Sequence, residues 1–151
     1  MASLQAPANV YTTAGNPVTA AAALATLDVI EEENLVARSR QLGELAKAFF
    51  ESAAKRYAFI GDVRLYGLNG GIDIINDHGE ADNEATNKLI YRIFELGAIM
   101  ISLRGNTLRF QPPLVIREEE LQRAFEILEK AFSDLASGKI ALPKTDNHIG
   151  W

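Results

Sequence analysis

The stretch IGDVRLYGLNGGIDIIN, residues 60–76, decides the fold. Its first half alternates Val63 and Leu65 against Arg64 and Tyr66, the period of two that marks a half-buried strand. Asn69-Gly70-Gly71 supplies a turn signal, and IDIIN after it reads as a second strand. Only a tight loop fits between the two, so the pair is predicted as an antiparallel hairpin.

Outward from this hairpin the period is helical. Upstream, Leu35, Leu42, Leu45, Phe49 and Ala53 recur at three, four and seven residues, which predicts a helix ending near Arg56-Tyr57. An earlier helix opens at Asn16, a good N-cap, with Pro17 in the first helical position, where the missing N–H costs nothing. It continues through Val18, Ala21, Ala22, Ala25 and Val29, with Leu24 and Leu27 beside them. So many alanines on one side imply close packing against another backbone. Glu31-Glu32-Glu33-Asn34 interrupts the pattern between the two helices.

Downstream, DHGEADNE is a polar loop leading into a helix over about 83–96, which carries Leu89, Ile90, Ile93, Phe94 and Leu96 and is stopped by Gly97. AIMIS is predicted as a third strand, Arg104-Gly105-Asn106 as a turn, and TLRFQ as a fourth strand ended by Pro112-Pro113. A final amphipathic helix begins around Glu118, buries Leu121, Phe125, Leu128, Phe132 and Leu135, and ends at Gly138. Strand pairs alternating with helices over short turns give an α+β fold in two layers: an antiparallel sheet of about four strands with helices on one face.

Bulk properties narrow the function classes. The chain has 151 residues, 48% of them hydrophobic and 23% charged, enough for one domain with a real core. A net charge of -5 with no basic cluster argues against a nucleic-acid surface. With no cysteine there is neither a disulfide framework nor a thiolate metal site. Met1-Ala2-Ser3-Leu4-Gln5 lacks the features of a signal peptide, and no apolar run approaches the roughly 20 residues of a membrane span. The chain reads as soluble and cytoplasmic.

Few residues have the setting that chemistry requires. Thr12 and Thr13 lie just ahead of Gly15 and the first helix, whose N-terminus offers unpaired N–H groups and partial positive charge to an anion. The same residues serve equally as a capped helix start preceded by loop hydroxyls. Arg109 stands between Leu108 and Phe110 in the fourth strand, so its side chain points away from theirs, to the less apolar face. A guanidinium there is set to grip a carboxylate with two parallel hydrogen bonds, or simply to be solvated. His78 and His148 lie far apart in polar segments with no metal or triad pattern, and Asp62 and Asp73 read as turn and strand-surface residues. GLNGG precedes a strand rather than a helix, so it is not a dinucleotide fingerprint.

The ordered set TTAGNPV, IGDVRLYGLNGGIDI and NTLRFQPPLVIREEEL resembles the C-terminal small domain of class III (subgroup II, fold type I) aminotransferases, over residues 8–137. These are pyridoxal-phosphate enzymes, a group that includes 4-aminobutyrate and ornithine aminotransferases. Within the group, TTAGNPV, GLNGGI, LRFQPPLVI and the ending IGW look closest to isoleucine 2-epimerases.

The resemblance implies a role for each candidate. Thr12, with Thr13 beside it, reaches across a dimer to the phosphate of pyridoxal 5'-phosphate in the neighbouring subunit, while Asn16-Pro17 still caps the helix. Arg109 binds the α-carboxylate of an amino-acid substrate. Residues 1–15 become an interdomain and cofactor-phosphate loop, residues 16–137 the small domain, and residues 138–151 a tail. The partners implied are the enzyme's own large domain and a second subunit. The family also needs a lysine to bond the cofactor and an aspartate at its ring nitrogen, both in an upstream motif. None of Lys47, Lys55, Lys88, Lys130, Lys139 or Lys144 matches that motif, so the chain is expected to be a carboxy-terminal piece with no catalytic residue of its own, inactive alone and prone to self-association. The reading from another class is a stand-alone α+β module that binds a small carboxylate or phosphate ligand. It accounts for Thr12 and Arg109 but not for the order of the motifs.

Overall fold

The computed structural model describes residues 15–141. The chain divides into two units, Met1–Val36 and Ala37–Trp151.

In the first unit, α1 (Pro17–Glu32) begins as expected: Asn16 Oδ1 accepts the Val18 N–H at 2.9 Å and Pro17 holds the first position. No residue of α1 is buried, and Val18 and Leu24 are exposed. The expected packing of its alanine side is therefore not met among the described residues. Asn34, at φ 50°, breaks the path between α1 and α2 (Leu35–Arg56). Asparagine is among the few side chains that tolerate the left-handed region.

The second unit is the two-layer α+β fold. Its elements are most of α2, then β1 (Ile60–Tyr66), β2 (Asn69–Ile74), α3 (Asn83–Glu95), β3 (Ser102–Leu103), β4 (Thr107–Phe110) and α4 (Glu118–Ala136). The strands form one sheet in the order β1-β2-β4-β3, every neighbouring pair antiparallel. Ile72, Ile74, Leu108 and Phe110 point to one face of it. There they join Leu42, Ala46 and Phe50 of α2, Leu89 and Ile93 of α3, and Leu121, Leu128 and Phe132 of α4 in a single core. Aromatic packing knits the layers: Phe50 meets Phe110 edge-on at 5.3 Å, and Phe49 stacks on Phe125 at 4.5 Å.

Four local expectations need correction. The hairpin turn is Gly67-Leu68, because Tyr66 pairs with Asn69, and Asn69-Gly70-Gly71 lie inside β2. Gly67 has φ 56°, while Leu68 is buried and gives its N–H to Ser39 Oγ of α2 at 3.1 Å. The glycine pair serves close approach instead: a Cβ on Gly70 would lie 2.2 Å from the Arg64 carbonyl oxygen.

The buried stripe of α2 keeps Leu35, Leu42 and Ala53 as expected, but between them it runs through Ala46 and Phe50, while Leu45 is exposed and Phe49 half-buried. Gly43, on the same side of the helix as Ala46 and Phe50, lets that side ride directly against the Gly67 backbone. Of AIMIS only Ser102, with Leu103 after it, is strand; the segment before it is tied to β4 by Arg109 N–H to the Ile101 carbonyl at 2.9 Å and to α3 by Ala98 N–H to the Ile93 carbonyl at 3.1 Å. A two-residue edge strand offers little template for unwanted pairing. Finally, α3 is capped by Asp82, whose carboxylate accepts the Ala85 N–H at 2.8 Å, and Phe94 stands exposed on that helix.

Candidate functional site

Helices α2, α3 and α4 cover one face of the sheet, and the candidate residues lie on the other. Alternation places Arg64 of β1, Gly71 and Asp73 of β2, and Thr107 and Arg109 of β4 on this open face. Register aligns them in two rows: Arg64 opposite Gly71 opposite Arg109, and Asp73 opposite Thr107. Gly71 is thus a bare position between two arginines.

The two arginines differ in what they hold. Arg64 donates to both oxygens of Asp73 at 2.7 Å and to Asp62 Oδ2 at 2.6 Å. Thr107 Oγ1 donates to Asp73 Oδ1, also at 2.7 Å. The Arg64 guanidinium holds the Asp73 carboxyl below the usual carboxylate range; partial burial opposes this and the Thr107 hydroxyl assists it. Reciprocally, Asp73 and then Asp62 raise Arg64 further above its ordinary value. Arg109 is half-buried and has no ion-pair partner among the described residues.

Arg109 also contributes to the wall of a cavity of about 350 Å³ at the edge of the sheet, otherwise formed chiefly by apolar groups: Ile101, Pro112 and Pro113 from the strands and their flanks, and Ile93 of α3 and Leu128 of α4 from the helical layer. The segment after β4 is pinned from α2, where Arg38 donates to the Ile116 carbonyl at 2.6 Å. A cation with no ion-pair partner among the described residues, beside an apolar recess, suits a molecule with a carboxylate at one end and a hydrocarbon side chain at the other.

The remaining candidates fall elsewhere. Thr12, Thr13, His148 and Lys144 lie outside the described residues. Lys47, Lys88 and Lys130 each face a carboxylate one turn along their own helices, Glu51, Glu84 and Asp134. His78 is an exposed loop residue whose backbone N–H goes to Asn76 Oδ1 at 2.9 Å. No cluster of His, Cys, Asp or Glu able to hold a metal ion occurs among the described residues. Asp62 and Asp73, read as plain surface residues, turn out to be the two counter-ions of Arg64. Alternation had put Arg64 and Asp73 on polar faces, but pairing them required the true register of the hairpin.

Comparison with known proteins shows the family. The family model for class-III aminotransferases matches residues 1–132. An isoleucine 2-epimerase from Lentilactobacillus buchneri is 50% identical over 153 residues, covering all of this chain and 34% of that protein. An alanine/serine racemase from Pyrococcus horikoshii is 44% identical over 131 residues, covering 85% of this chain and 28% of that one. Among solved structures, an acetylornithine aminotransferase from Elizabethkingia anophelis superposes with a TM-score of 0.74 at 32% identity, over 87% of this chain and 33% of that one. The chain therefore belongs to the class-III aminotransferase family, and it spans about a third of the length of the curated relatives it matches.

Proposed function

We propose that this chain is the substrate-carboxylate-binding part of a pyridoxal-phosphate-dependent amino-acid racemase or aminotransferase, with isoleucine 2-epimerase as the nearest activity. The observation that carries the reading is Arg109: a half-buried arginine on the sheet face that the helices leave open, with no counter-ion among the described residues, at the edge of an apolar recess that extends to α3 and α4. It orients the amino acid by two parallel hydrogen bonds to the α-carboxylate, and the recess accepts an aliphatic side chain. One relative bears the name of an epimerase and another that of a racemase, which favours proton return to the α-carbon over amino-group transfer.

Pyridoxal phosphate, when bound, supplies an electron-withdrawing ring that makes the amino acid's α-proton acidic. Thr12 and Thr13 are assigned to its phosphate, in the neighbouring subunit of a dimer. The first turn of α1 adds little there, since Pro17 has no N–H and the Val18 N–H is given to Asn16. The lysine that bonds the cofactor and the aspartate at its ring nitrogen are assigned to a large domain outside this chain. Lys47, Lys88 and Lys130, held by carboxylates on their own helices, are poor substitutes for the former. Residues 1–15 then form the interdomain loop, 16–137 the small domain and 138–151 a tail, in a cytoplasmic enzyme.

The test is a titration of the 151-residue chain with isovalerate, followed by the side-chain N–H signals of its arginines in NMR. A single bidentate contact supports a dissociation constant of roughly millimolar or weaker. Arg109 is expected to shift, Arg64 to stay in place, and isoamylamine, which lacks the carboxylate, to do nothing. Equal shifts at both arginines, or none at Arg109, refute the assignment.

A further inference from the structure

Arg109 has a carboxylate near it on the sheet, yet no ion pair engages it among the described residues. Asp73 lies opposite Thr107, and Arg109 lies opposite Gly71, so Asp73 and Arg109 are diagonal neighbours on one face of adjacent strands. Such neighbours have Cα atoms roughly 7–8 Å apart, well within the reach of an arginine side chain. Gly71 places no side chain in the way. An exposed strand surface with this layout ordinarily forms the cross-strand pair.

We propose that Arg64 is a positioning residue for the carboxylate site: it holds Asp73 from the far side of β2 and so leaves Arg109 free for an incoming amino acid. This rests on the reading of Arg109 as the carboxylate-binding group. Two bonds from Arg64 and one from Thr107 fix the orientation of Asp73, turning both of its oxygens toward those donors. Asp62 completes the arrangement by engaging Arg64 from its own strand. The two aspartates also stop Arg64 from acting as a second anion seat one position away. A substrate carboxylate thus meets one available cation rather than two, which fixes its pose.

The bare position at Gly71 is part of the same device. The Arg64 Nη2 atom passes 3.8 Å from where a Cβ of residue 71 would lie, and that Cβ would also stand 2.7 Å from Thr107 Cγ2. A Cβ there presses on Thr107, one holder of Asp73, and comes into ordinary contact with Arg64, the other.

The test uses phenylglyoxal, which attacks free guanidinium groups, on the 151-residue chain with peptide mass spectrometry to assign each arginine. In the wild type Arg109 is expected to react faster than Arg64. In Arg64→Gln, Asp73 turns to Arg109, whose modification slows about threefold, the population effect of a partly exposed ion pair. Adding Asp73→Asn to that variant restores the wild-type rate at Arg109, and Arg64→Lys, which keeps a cation beside Asp73, largely preserves it. A merely structural role for Arg64 predicts no restoration in the double variant.

If Arg64→Gln does not fold, Thr107→Val carries the test, because it removes one of the bonds holding Asp73 and is expected to slow Arg109 in the same direction. An Arg109 rate unchanged in whichever of these two variants folds overturns the proposal. Isovalerate added to the wild type separates the two readings. Arg109 left unprotected by it while the variants behave as described refutes the substrate assignment alone; protection with unresponsive variants refutes the positioning role alone.

Discussion

Replacing Gly43 by alanine places a methyl group where α2 touches the β1–β2 turn. Built on the native backbone, the new Cβ lies 2.4 Å from Gly67 Cα and 2.6 Å from its carbonyl oxygen. Carbon atoms pack at about 3.5–4.0 Å, so helix and turn must part by about 1 Å. In a helix interior, alanine is ordinarily better than glycine by roughly 1 kcal/mol. Against this stands an overpacking cost of about 1–3 kcal/mol. Shifting the turn also strains the bond from Leu68 N–H to Ser39 Oγ, worth about 1 kcal/mol. The sum is a net loss of about 2 kcal/mol, equivalent to roughly 4–8 °C in the thermal midpoint for a chain of this size. Urea and thermal unfolding followed by circular dichroism measure it. Gly79→Ala is the control, since that glycine has open space around it and carries only the conformational cost of φ 78°. A Gly43→Ala protein as stable as wild type, or more so, refutes the claim that backbone contact sets the α2 register.

The same register has a second consequence, because Phe50 is fully buried and Phe49 only partly. Phe50→Ala should cost about 3–5 kcal/mol and Phe49→Ala clearly less, an order that denaturant midpoints will reveal. Glu129 accepts hydrogen bonds from Arg56 and, at 2.8 Å, from the Tyr57 hydroxyl, and the Arg56 bonds foremost hold its carboxyl below the usual range. A depressed folded-state value means the stabilisation is complete above the unfolded value of about 4.3 and is lost as pH falls through the folded one. The thermal midpoint should accordingly fall less steeply below about pH 4.3 in Glu129→Gln than in wild type.

How legible the fold was follows from the range of each signal. Caps, helix periods and strand alternation act within a few residues, and Asn16, Pro17, the α4 stripe and the outward side of Arg109 could be read directly. The errors lie where distant segments decide. Asn69-Gly70-Gly71 has the composition of a turn, but Leu68, buried in the core and tied to Ser39 of α2, draws the turn two residues earlier. AIMIS has the composition of a strand, but the sheet extends past β4 for two residues only. Leu45 and Phe49 fit a helical period as well as Ala46 and Phe50 do, and only the glycine contact across to Gly67 chooses between them.

The same division governs the site. That Arg109 faces outward is a local fact, set by the apolar residues on either side of it. That it has no ion-pair partner among the described residues is not local, because its diagonal neighbour Asp73 lies on another strand and is occupied by an arginine on a third. An unpaired arginine on a strand is common and, read singly, says little about binding. An unpaired arginine whose diagonal carboxylate is held elsewhere, across a position where a Cβ would collide with Thr107, is a more specific arrangement. Gly71 connects the two levels. Read in sequence it signals a turn, whereas in the sheet it is the gap over which Arg64 reaches Asp73, and filling that gap should free the carboxylate that Arg109 must be kept from.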